Sequence, residues 1–352
     1  MASLRTPRQI LLANRCYRLL LLTYPAHFRR TYGYEMAQTF RASCREALCE
    51  EGNLGLLRVC GLTLSDLLLT SLKEHCQAFF LRLKHLLGTM SPAGALALAA
   101  PLRLQVAQQT DIGCKRSTNE DNLLAVLPED PQVFTDKGAL FVVADGLGGH
   151  MRGERASALA VTTVREVYYR DVQEESAISL VHAIKQANSV IYAENLSRSS
   201  AIDDNHGMGT TCIAAVLQGQ TLTVANVGDS RGYVIHAGQI RQVSRDHSLV
   251  ADMVLEGTLT PEQAKTHEQR NVIYRSLGAQ AEVEVDVFVE EVAEGDRVLL
   301  CTDGLSGLVA DEEILRIVET AQPEESVQQL IARANAAGGP DNITAIVVHV
   351  AA

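Results

Sequence analysis

Six acidic residues stand at the borders of short apolar segments, most of them next to glycine. They are Glu120, Asp121, Asp145, Asp229, Asp303 and Asp341. Carboxylates gathered at one place repel one another unless a cation neutralises them. Mg²⁺ and Mn²⁺ prefer oxygen ligands, and two such ions about 3.5–4 Å apart activate a bridging water and stabilise an in-line displacement. The pattern therefore predicts a metal site for hydrolysis.

Each Asp-Gly pair on its own is more typical of an ordinary turn. The repetition of the pattern at five strand ends weakens that interpretation. Glycine beside each carboxylate would let the backbone turn sharply and approach an ion.

Arg116 stands four residues before Glu120. In an extended segment the two side chains share one face. A guanidinium beside a metal cluster suits a phosphate group, which it can bind through two hydrogen bonds. Pairing with the neighbouring acidic residues is the simpler alternative for a single arginine.

The apolar segments that position these residues have the length and composition of β-strands. The predicted strands are Leu140–Ala144, Thr211–Leu217, Leu222–Asn226, Gly232–His236, Gln239–Val243, Arg297–Cys301 and Ile343–Val350. The predicted helices are Glu154–Arg170, Ile178–Ser197, Asp311–Glu319 and Glu325–Ala336. Consecutive strands with helices between the groups indicate an α+β fold of mostly antiparallel sheets with helices packed outside.

The first hundred residues have a different character. Residues 8–87 show apolar residues at helical spacing and predict a small all-α domain at 1–88. A Ser/Pro/Gly/Ala-rich linker follows at 89–104, and the acidic constellation falls in a domain at 105–352. Residues 1–100 carry 12 Lys and Arg against 6 Asp and Glu, whereas the remainder carries 19 against 36. This asymmetry suggests two units with different partners.

The bulk composition excludes several classes of protein. A net charge of −11 argues against a general nucleic-acid binder. No apolar stretch is long enough to span a bilayer, and no secretory signal is evident. None of the eight cysteines forms a CxxC pair, so a zinc site is not expected and a reduced cytoplasmic setting is favoured.

Eight motifs together resemble the PP2C-type (PPM) protein phosphatases, in the bacterial-like branch. In chain order they are RSTNEDN, ADGLGGHMRGE, GMGTT, ANVGDSRGYV, SRDHS, VIYRSLG, LLCTDGLSG and GGPDNIT, and they span about residues 106–350. The resemblance implies a four-layer α/β/β/α sandwich with a binuclear Mn²⁺ or Mg²⁺ site at one edge. It also implies hydrolysis of phosphoserine and phosphothreonine in proteins by a metal-bridging hydroxide, in opposition to a Ser/Thr kinase.

The resemblance also implies roles for single residues. Asp145 would bridge both metals and the Gly146 carbonyl would be a further ligand. The remaining ligands would be Glu120, Asp121, Asp303 and Asp341, with Asp229 at a third, weaker metal. Arg116 would bind the substrate phosphate.

Two positions depart from the family pattern. Leu147 stands where some members carry a histidine proposed as general acid, and His150 lies three residues further on. Gly307 stands where many relatives have an aspartate at the third metal, so a weak or absent third site is expected.

Two further segments bear on regulation. Residues from about Asp246 to Asn271 match the flap that borders the active site in the family. The segment YRLLLLTYPAHFRRTYGYEMAQTF resembles the helical prefix of some bacterial ABC-type permeases. That prefix implies docking or regulation, including contact with a membrane-associated partner at the inner face of the membrane. Packing onto the phosphatase domain is the equal alternative.

Two other functions remain open from the sequence. The first is a non-catalytic phosphoprotein-binding module, whose signature would be the loss of metal carboxylates. The second is a phosphatase of small phosphoesters, for which the same core chemistry would serve.

Overall fold

The computed structural model describes residues 103–148, 151–170, 175–198 and 207–351, together with three residues of the N-terminal region. Those three are Tyr17, Phe40 and Cys44, all buried and helical, with the rings of Tyr17 and Phe40 stacked at 4.2 Å. The chain divides into two compact units, residues 1–98 and 99–352. The predicted helical domain and most of the linker lie outside the described residues.

Twelve strands are found in the described part of the larger unit. They are β1 (Arg103–Asp111), β2 (Asn122–Val126), β3 (Ala139–Ala144), β4 (Gly146–Leu147), β5 (Gly209–Thr210), β6 (Cys212–Gln218), β7 (Thr221–Val227), β8 (Arg231–His236), β9 (Gln239–Gln242), β10 (Asp286–Glu291), β11 (Arg297–Cys301) and β12 (Ile343–Ala351). The predictions missed β1, β2 and β10 as strands, and also the two-residue strands β4 and β5. The strand β1 begins at Arg103, so it includes the last two residues of the predicted linker.

The helices of the same part number eight. They are α1 (Pro131–Lys137), α2 (Met151–Arg170), α3 (Ser176–Arg198), α4 (Leu249–Leu255), α5 (Pro261–Thr266), α6 (Asp303–Ser306), α7 (Asp311–Thr320) and α8 (Pro323–Ala336). The four helices predicted from periodicity are present with ends shifted by a few residues. No helix among the described residues is long and apolar enough to cross a bilayer.

The strands form two five-stranded antiparallel sheets and a short two-stranded ribbon. The first sheet has the order β1-β12-β11-β8-β9, the second β10-β7-β6-β3-β2, and β4 pairs with β5. A hairpin turn at residues 236–239 joins β8 to β9, with Ala237 and Gly238 both at positive φ. Such a turn matches the twist of its strands.

Three apolar layers explain why the strands read as continuous apolar runs. In β3, Leu140 and Val142 face α2 and α3, whereas Phe141 and Val143 face the other sheet. A third cluster joins the first sheet to α7 and α8. Because both faces of a central strand are buried, its side chains do not alternate with polar ones. The predicted four-layer α/β/β/α sandwich is confirmed.

Candidate metal centre

The predicted carboxylates gather at one end of the sandwich. The antiparallel registers bring the last residue of β3, the first residues of β2, β6 and β12, and the last residue of β11 to that end. Five of the six carboxylates lie next to these strand ends and Asp229 follows β7, although the outermost two, Glu120 and Asp341, are 221 positions apart in the chain. Long-range strand pairing therefore creates the site.

The main chain of Asp145 is held from both sides by the GMGTT motif. Its amide donates to the Thr211 hydroxyl at 2.9 Å. Its carbonyl accepts hydrogen bonds from the Thr210 hydroxyl at 2.8 Å and from the Thr211 amide at 2.9 Å. These three bonds set the direction in which the carboxylate leaves the end of β3.

Glycine after Asp145 and after Asp303 is needed for close approach of backbones. A Cβ on Gly304 would lie 1.9 Å from the Asn342 carbonyl oxygen, and one on Gly146 would lie 2.3 Å from that of Gly153. Neither glycine has a positive φ. Close packing of backbones, rather than a left-handed conformation, therefore requires glycine at both positions. Gly146 packs against the first turn of α2 and Gly304 against the segment before β12, and no side chain fits at either contact.

Asp121 is buried at the mouth of the space between the sheets. Its Oδ2 accepts hydrogen bonds from the hydroxyls of Thr302, at 3.0 Å, and Thr344, at 2.6 Å. Its Oδ1 is buried without a hydrogen-bond partner. The two threonine hydroxyls hold Oδ2 of Asp121 and leave its Oδ1 without a hydrogen bond.

Arg116 forms an ion pair with Asp341, with its Nη2 donating to Oδ2 at 2.8 Å. The other oxygen of Asp341 accepts from the Asn342 amide at 2.9 Å. The arginine side chain is 47 % exposed. Arg116 thus lies beside the buried acidic residues and still presents its guanidinium to solvent.

Glu120 is buried next to Asp121, and its amide donates to the side-chain oxygen of Asn342 at 2.8 Å. Its carboxylate lies against Gly153, where a Cβ would be 2.8 Å from Oε2. The Asn342 amide group also donates to two carbonyls of the 112–118 loop, which carries Arg116. Asn342 therefore ties the GGPDN loop to the segment with Arg116 and Glu120.

Burial and mutual repulsion raise the pKa values of the central carboxyl groups. For Asp145 burial is the larger cause and the charges of Asp121 and Asp303 add to it, so its pKa lies well above the ordinary value. The pKa of Asp303 is raised by burial and by Asp341, and a hydrogen bond from Asp145 partly offsets this. Burial likewise raises the pKa of Asp121 to about 7. Without a cation these groups resist ionisation.

Asp229 follows β7 and faces the same centre. Burial first, and then the charge of Asp303, raise its pKa to about 8. The positive charge of Arg231 partly offsets this rise in the pKa of Asp229. The guanidinium of Arg231 is held by the carboxylate of Asp246 through hydrogen bonds of 2.7–3.1 Å. Asp229 thus belongs to the acidic group, and the guanidinium of Arg231 is a positive charge near it.

The donor set suits a hard divalent cation. Oδ1 of Asp121 and Oδ1 of Asp303 are both buried without hydrogen-bond partners, a costly arrangement unless a cation binds them. In the described residues no three His, Cys, Asp or Glu side chains converge into a complete ligand shell. Repulsion between carboxylates opposes such convergence, and a cation between them would relieve it.

Several residues that build the site were not predicted. Thr210 and Thr211 lie in GMGTT, Thr302 and Asn342 directly adjoin Asp303 and Asp341, and Thr344 lies three residues after Asp341. Their adjacency to Asp303 and Asp341 was the available signal, but a hydroxyl shows its partner only in the folded chain. His150, which was considered as a general acid, lies outside the described residues.

The sequence profile of protein phosphatase 2C matches residues 117–345, which contain all the predicted site residues except Arg116. The chain belongs to the protein phosphatase 2C family. Arg116 directly precedes the matched range, so the whole candidate site lies in or next to the family domain.

Two curated relatives illustrate the extent of the similarity. The chain is 38 % identical over 250 residues to the serine/threonine protein phosphatase PstP of Mycobacterium tuberculosis. The match covers 71 % of this chain but 45 % of PstP, so it spans less than half of that relative. The serine/threonine phosphatase stp of Listeria innocua is also 38 % identical over 250 residues, with 68 % of this chain and 94 % of the relative covered.

Solved structures of the family agree with the fold. The catalytic domain of PstP in complex with two manganese ions superposes with a TM-score of 0.62 at 36 % identity, covering 71 % of this chain and all of that one. Stp1 from Staphylococcus aureus gives 0.64 at 34 % identity, with 71 % and 96 % covered. The larger unit of this chain is thus similar throughout to protein phosphatase 2C domains.

Proposed function

We propose that this chain is a metal-dependent phosphatase that hydrolyses phosphoserine and phosphothreonine in proteins. The observation that carries the proposal is the pair of buried carboxylate oxygens of Asp121 and Asp303 that have no hydrogen-bond partner, next to the exposed guanidinium of Arg116. Carboxylates of this kind bind cations, and an adjacent guanidinium binds phosphate. The names of the two relatives support protein phosphoesters as the substrate.

Two Mn²⁺ or Mg²⁺ ions would be held by the acidic group, and the solved catalytic domain of the relative PstP is in complex with two manganese ions. The ligands would be Glu120, Asp121, Asp145, the Gly146 carbonyl, Asp303 and Asp341. When bound, such ions supply Lewis acidity toward an attacking water and toward the phosphate oxygens.

The residues of this chain prepare that chemistry. The bonds from Thr210 and Thr211 hold the backbone of Asp145, and those from Thr302 and Thr344 orient Asp121. Arg116 would exchange part of its contact with Asp341 for the substrate phosphate and stabilise charge on the phosphoryl oxygens. Its exposure makes that exchange feasible without moving the buried ligands.

A third metal site at Asp229 is proposed to be weak or absent in this chain. Gly307 offers no side chain there, and a Cβ at that position would meet the Asp303 carbonyl at 2.8 Å. We expect activity titrated with Mn²⁺ to show no separate low-affinity phase. A distinct phase that disappears in Asp229→Ala would contradict this.

The natural counterpart is proposed to be a Ser/Thr kinase and its substrates in the cytoplasm. The basic residues 1–88 are proposed as a docking or regulatory domain, with anionic lipid or a membrane-associated partner as its target. Co-sedimentation of the full chain with phosphatidylserine vesicles tests the membrane version. Equal recovery with neutral vesicles would remove it.

The decisive experiment measures hydrolysis of a phosphothreonine peptide by the full chain. Activity should require Mn²⁺, stop with EDTA, and fall by at least about a hundredfold in Asp145→Asn and Asp303→Asn, since each removes a ligand carboxylate. Glu290→Gln, at the other end of the sandwich, is the control and should retain activity. Metal binding without hydrolysis would favour the phosphoprotein-binding module. Faster turnover of a nucleotide or sugar phosphate than of the peptide would favour small phosphoesters.

A further inference from the structure

A buried histidine outside the proposed ligand set joins two parts of the molecule. In the structure the flap expected at about Asp246 to Asn271 is the segment 248–273, and His247 directly precedes it and is 1 % exposed. The flap contains α4 and α5, and its two ends pair with each other through Ser248 and Ile273.

His247 binds the loop that carries Asp229 through two hydrogen bonds. The Gly228 amide donates to its Nδ1 at 3.0 Å. The His247 amide donates to the Gly228 carbonyl at 3.0 Å. Gly228 has a φ of +107°, and a Cβ there would lie 2.6 Å from Thr211, so this peptide has little freedom to move. The ring and backbone of one residue thus hold the peptide that precedes Asp229.

The same hydrogen bond fixes the state of the imidazole. Because the Gly228 amide always donates, Nδ1 carries no proton and the ring proton sits on Nε2. Nε2 lies 3.2 Å from Oδ2 of Asp286 and 3.1 Å from Nη1 of Arg275. The same Nη1 donates to Oδ1 of Asp286 at 2.8 Å. His247 therefore accepts from the Asp229 loop on one side and donates to β10 on the other.

The Asp229 loop continues the connection to the central carboxylate. Ser230 and Thr211 share a hydrogen bond between their hydroxyls at 2.7 Å. The same Thr211 hydroxyl accepts from the Asp145 amide at 2.9 Å. A continuous path therefore runs from His247 through Gly228, Ser230 and Thr211 to the backbone of Asp145.

On its other side His247 contacts the end of the flap. Its carbonyl accepts from the Tyr274 amide at 3.1 Å, and the two rings lie 5.9 Å apart. Leu249, two residues along, donates to the Val272 carbonyl at 2.9 Å. Movement of either flap end would therefore act on His247.

We infer that His247 is a positioning residue that couples the flap to the metal centre, an inference that rests on the proposed function. Cation binding at Asp145 and Asp303 orders the Gly228–Asp229 loop, and the loop orders the flap through His247. Because coupling between two sites is reciprocal, ordering of the flap also strengthens cation binding.

Three variants of the full chain separate this role from general destabilisation. His247→Gln places its amide near Nε2 and loses the acceptor for the Gly228 amide. His247→Asn places its oxygen near Nδ1, keeps that acceptor, and loses the contact with Asp286. His236→Gln changes an exposed histidine at the opposite end and serves as control.

The main measurement is amide hydrogen exchange of residues 249–272 with and without Mn²⁺. In the unmodified protein and in His247→Asn, Mn²⁺ should slow exchange by about fivefold or more, as expected for coupled sites. In His247→Gln the effect of Mn²⁺ should vanish, and half-saturation by Mn²⁺ in calorimetry should rise about tenfold or more. His236→Gln should behave as the unmodified protein.

Several outcomes would overturn the inference. They are an unchanged response of His247→Gln, an equal loss in both His247 variants, and no effect of Mn²⁺ on flap exchange in the unmodified protein. Neither exchange nor calorimetry requires turnover. If phosphopeptide hydrolysis fails while the exchange pattern holds, only the proposed function is refuted.

Discussion

The charged residues at the two ends of the sandwich are arranged in opposite ways. At the end beyond β3 and β11, the carboxyl groups of Asp121, Asp145 and Asp303 lie together, and burial first and mutual repulsion second raise their pKa values. At the other end, called the paired-charge end, Arg241 forms an ion pair with Glu290, and Nδ1 of His236 contacts the carboxylate of Asp296. The first arrangement costs stability and the second is close to neutral.

This difference shows where the fold gives up stability for a binding site. Both ends consist of strand termini and turns, so geometry alone does not distinguish them. Buried carboxylate oxygens without hydrogen-bond partners lie at one end, and it is they that favour a cation site there. The predictions below test this contrast, and each pairs a change at the carboxylate end with one at the paired-charge end.

The largest effect is expected from a methyl group at the carboxylate end. Gly304→Ala would place Cβ 1.9 Å from the Asn342 carbonyl oxygen, so the two strand ends must separate. We expect a loss of about 3 kcal/mol or more in the free energy of unfolding, measured with urea in EDTA.

The matched change is Gly219→Ala at the paired-charge end. Gly219 has a φ of +57°, but no heavy atom lies within 4 Å of its Cβ position. The loss in the free energy of unfolding should come only from placing alanine in a left-handed conformation, which costs about 1–2 kcal/mol. Equal losses in the two variants would show that close approach at Gly304 is not what the site requires.

The next effect concerns the hydroxyls that orient Asp121. Thr344→Val keeps the shape of the side chain but removes the donor at 2.6 Å from Asp121 Oδ2. We expect Mn²⁺ binding, measured by calorimetry, to weaken by about 10–100-fold, as for other groups that orient a ligand. Thr320→Val, whose hydroxyl bonds to the Arg316 carbonyl at the end of α7, should leave Mn²⁺ affinity unchanged. Unaltered binding in Thr344→Val would exclude Asp121 from the ligands.

A smaller effect follows from the raised pKa values in the metal-free protein. The pKa of Asp121 is raised to about 7 and that of Asp229 to about 8, against about 3.9 in an unfolded chain. A raised pKa contributes stability below about pH 4, which is lost as the pH rises through about 7 to 8.

We therefore expect the Tm in EDTA to fall between about pH 5.5 and pH 8.5. Saturating Mn²⁺ should reverse this trend, because the cation binds the ionised carboxylates. Asp121→Asn should flatten the slope in EDTA, whereas Glu290→Gln should not. A slope that is the same in all three proteins would mean that the acidic group does not cause it.

The smallest effect is expected at the paired-charge end. Arg241 binds both oxygens of Glu290 at 2.8–2.9 Å, but its side chain is 57 % exposed. Arg241→Ala should cost less than about 1 kcal/mol in unfolding free energy and leave Mn²⁺-dependent hydrolysis unchanged. A loss of activity comparable with that of Asp303→Asn would show that the two ends are coupled.

Prediction from sequence worked best where local pattern decides structure. The central strands and the four long helices follow from apolar runs and periodicity, because they bury whole faces. The strands β1, β2 and β10 were missed because their side chains are only partly buried and their composition is mixed. They become strands through pairing with β12, β3 and β7.

The sequence by itself determined which residue types carry the chemistry: carboxylates at strand ends, an arginine nearby, and motifs in the order of one family. Only the tertiary structure decided how they meet. It pairs Arg116 with Asp341 across 225 positions, gives Asp121 its two threonine donors, and places His247 between the flap and the Asp229 loop. The physical reason is that local sequence sets strand and helix, whereas long-range antiparallel register sets which strand ends share a site.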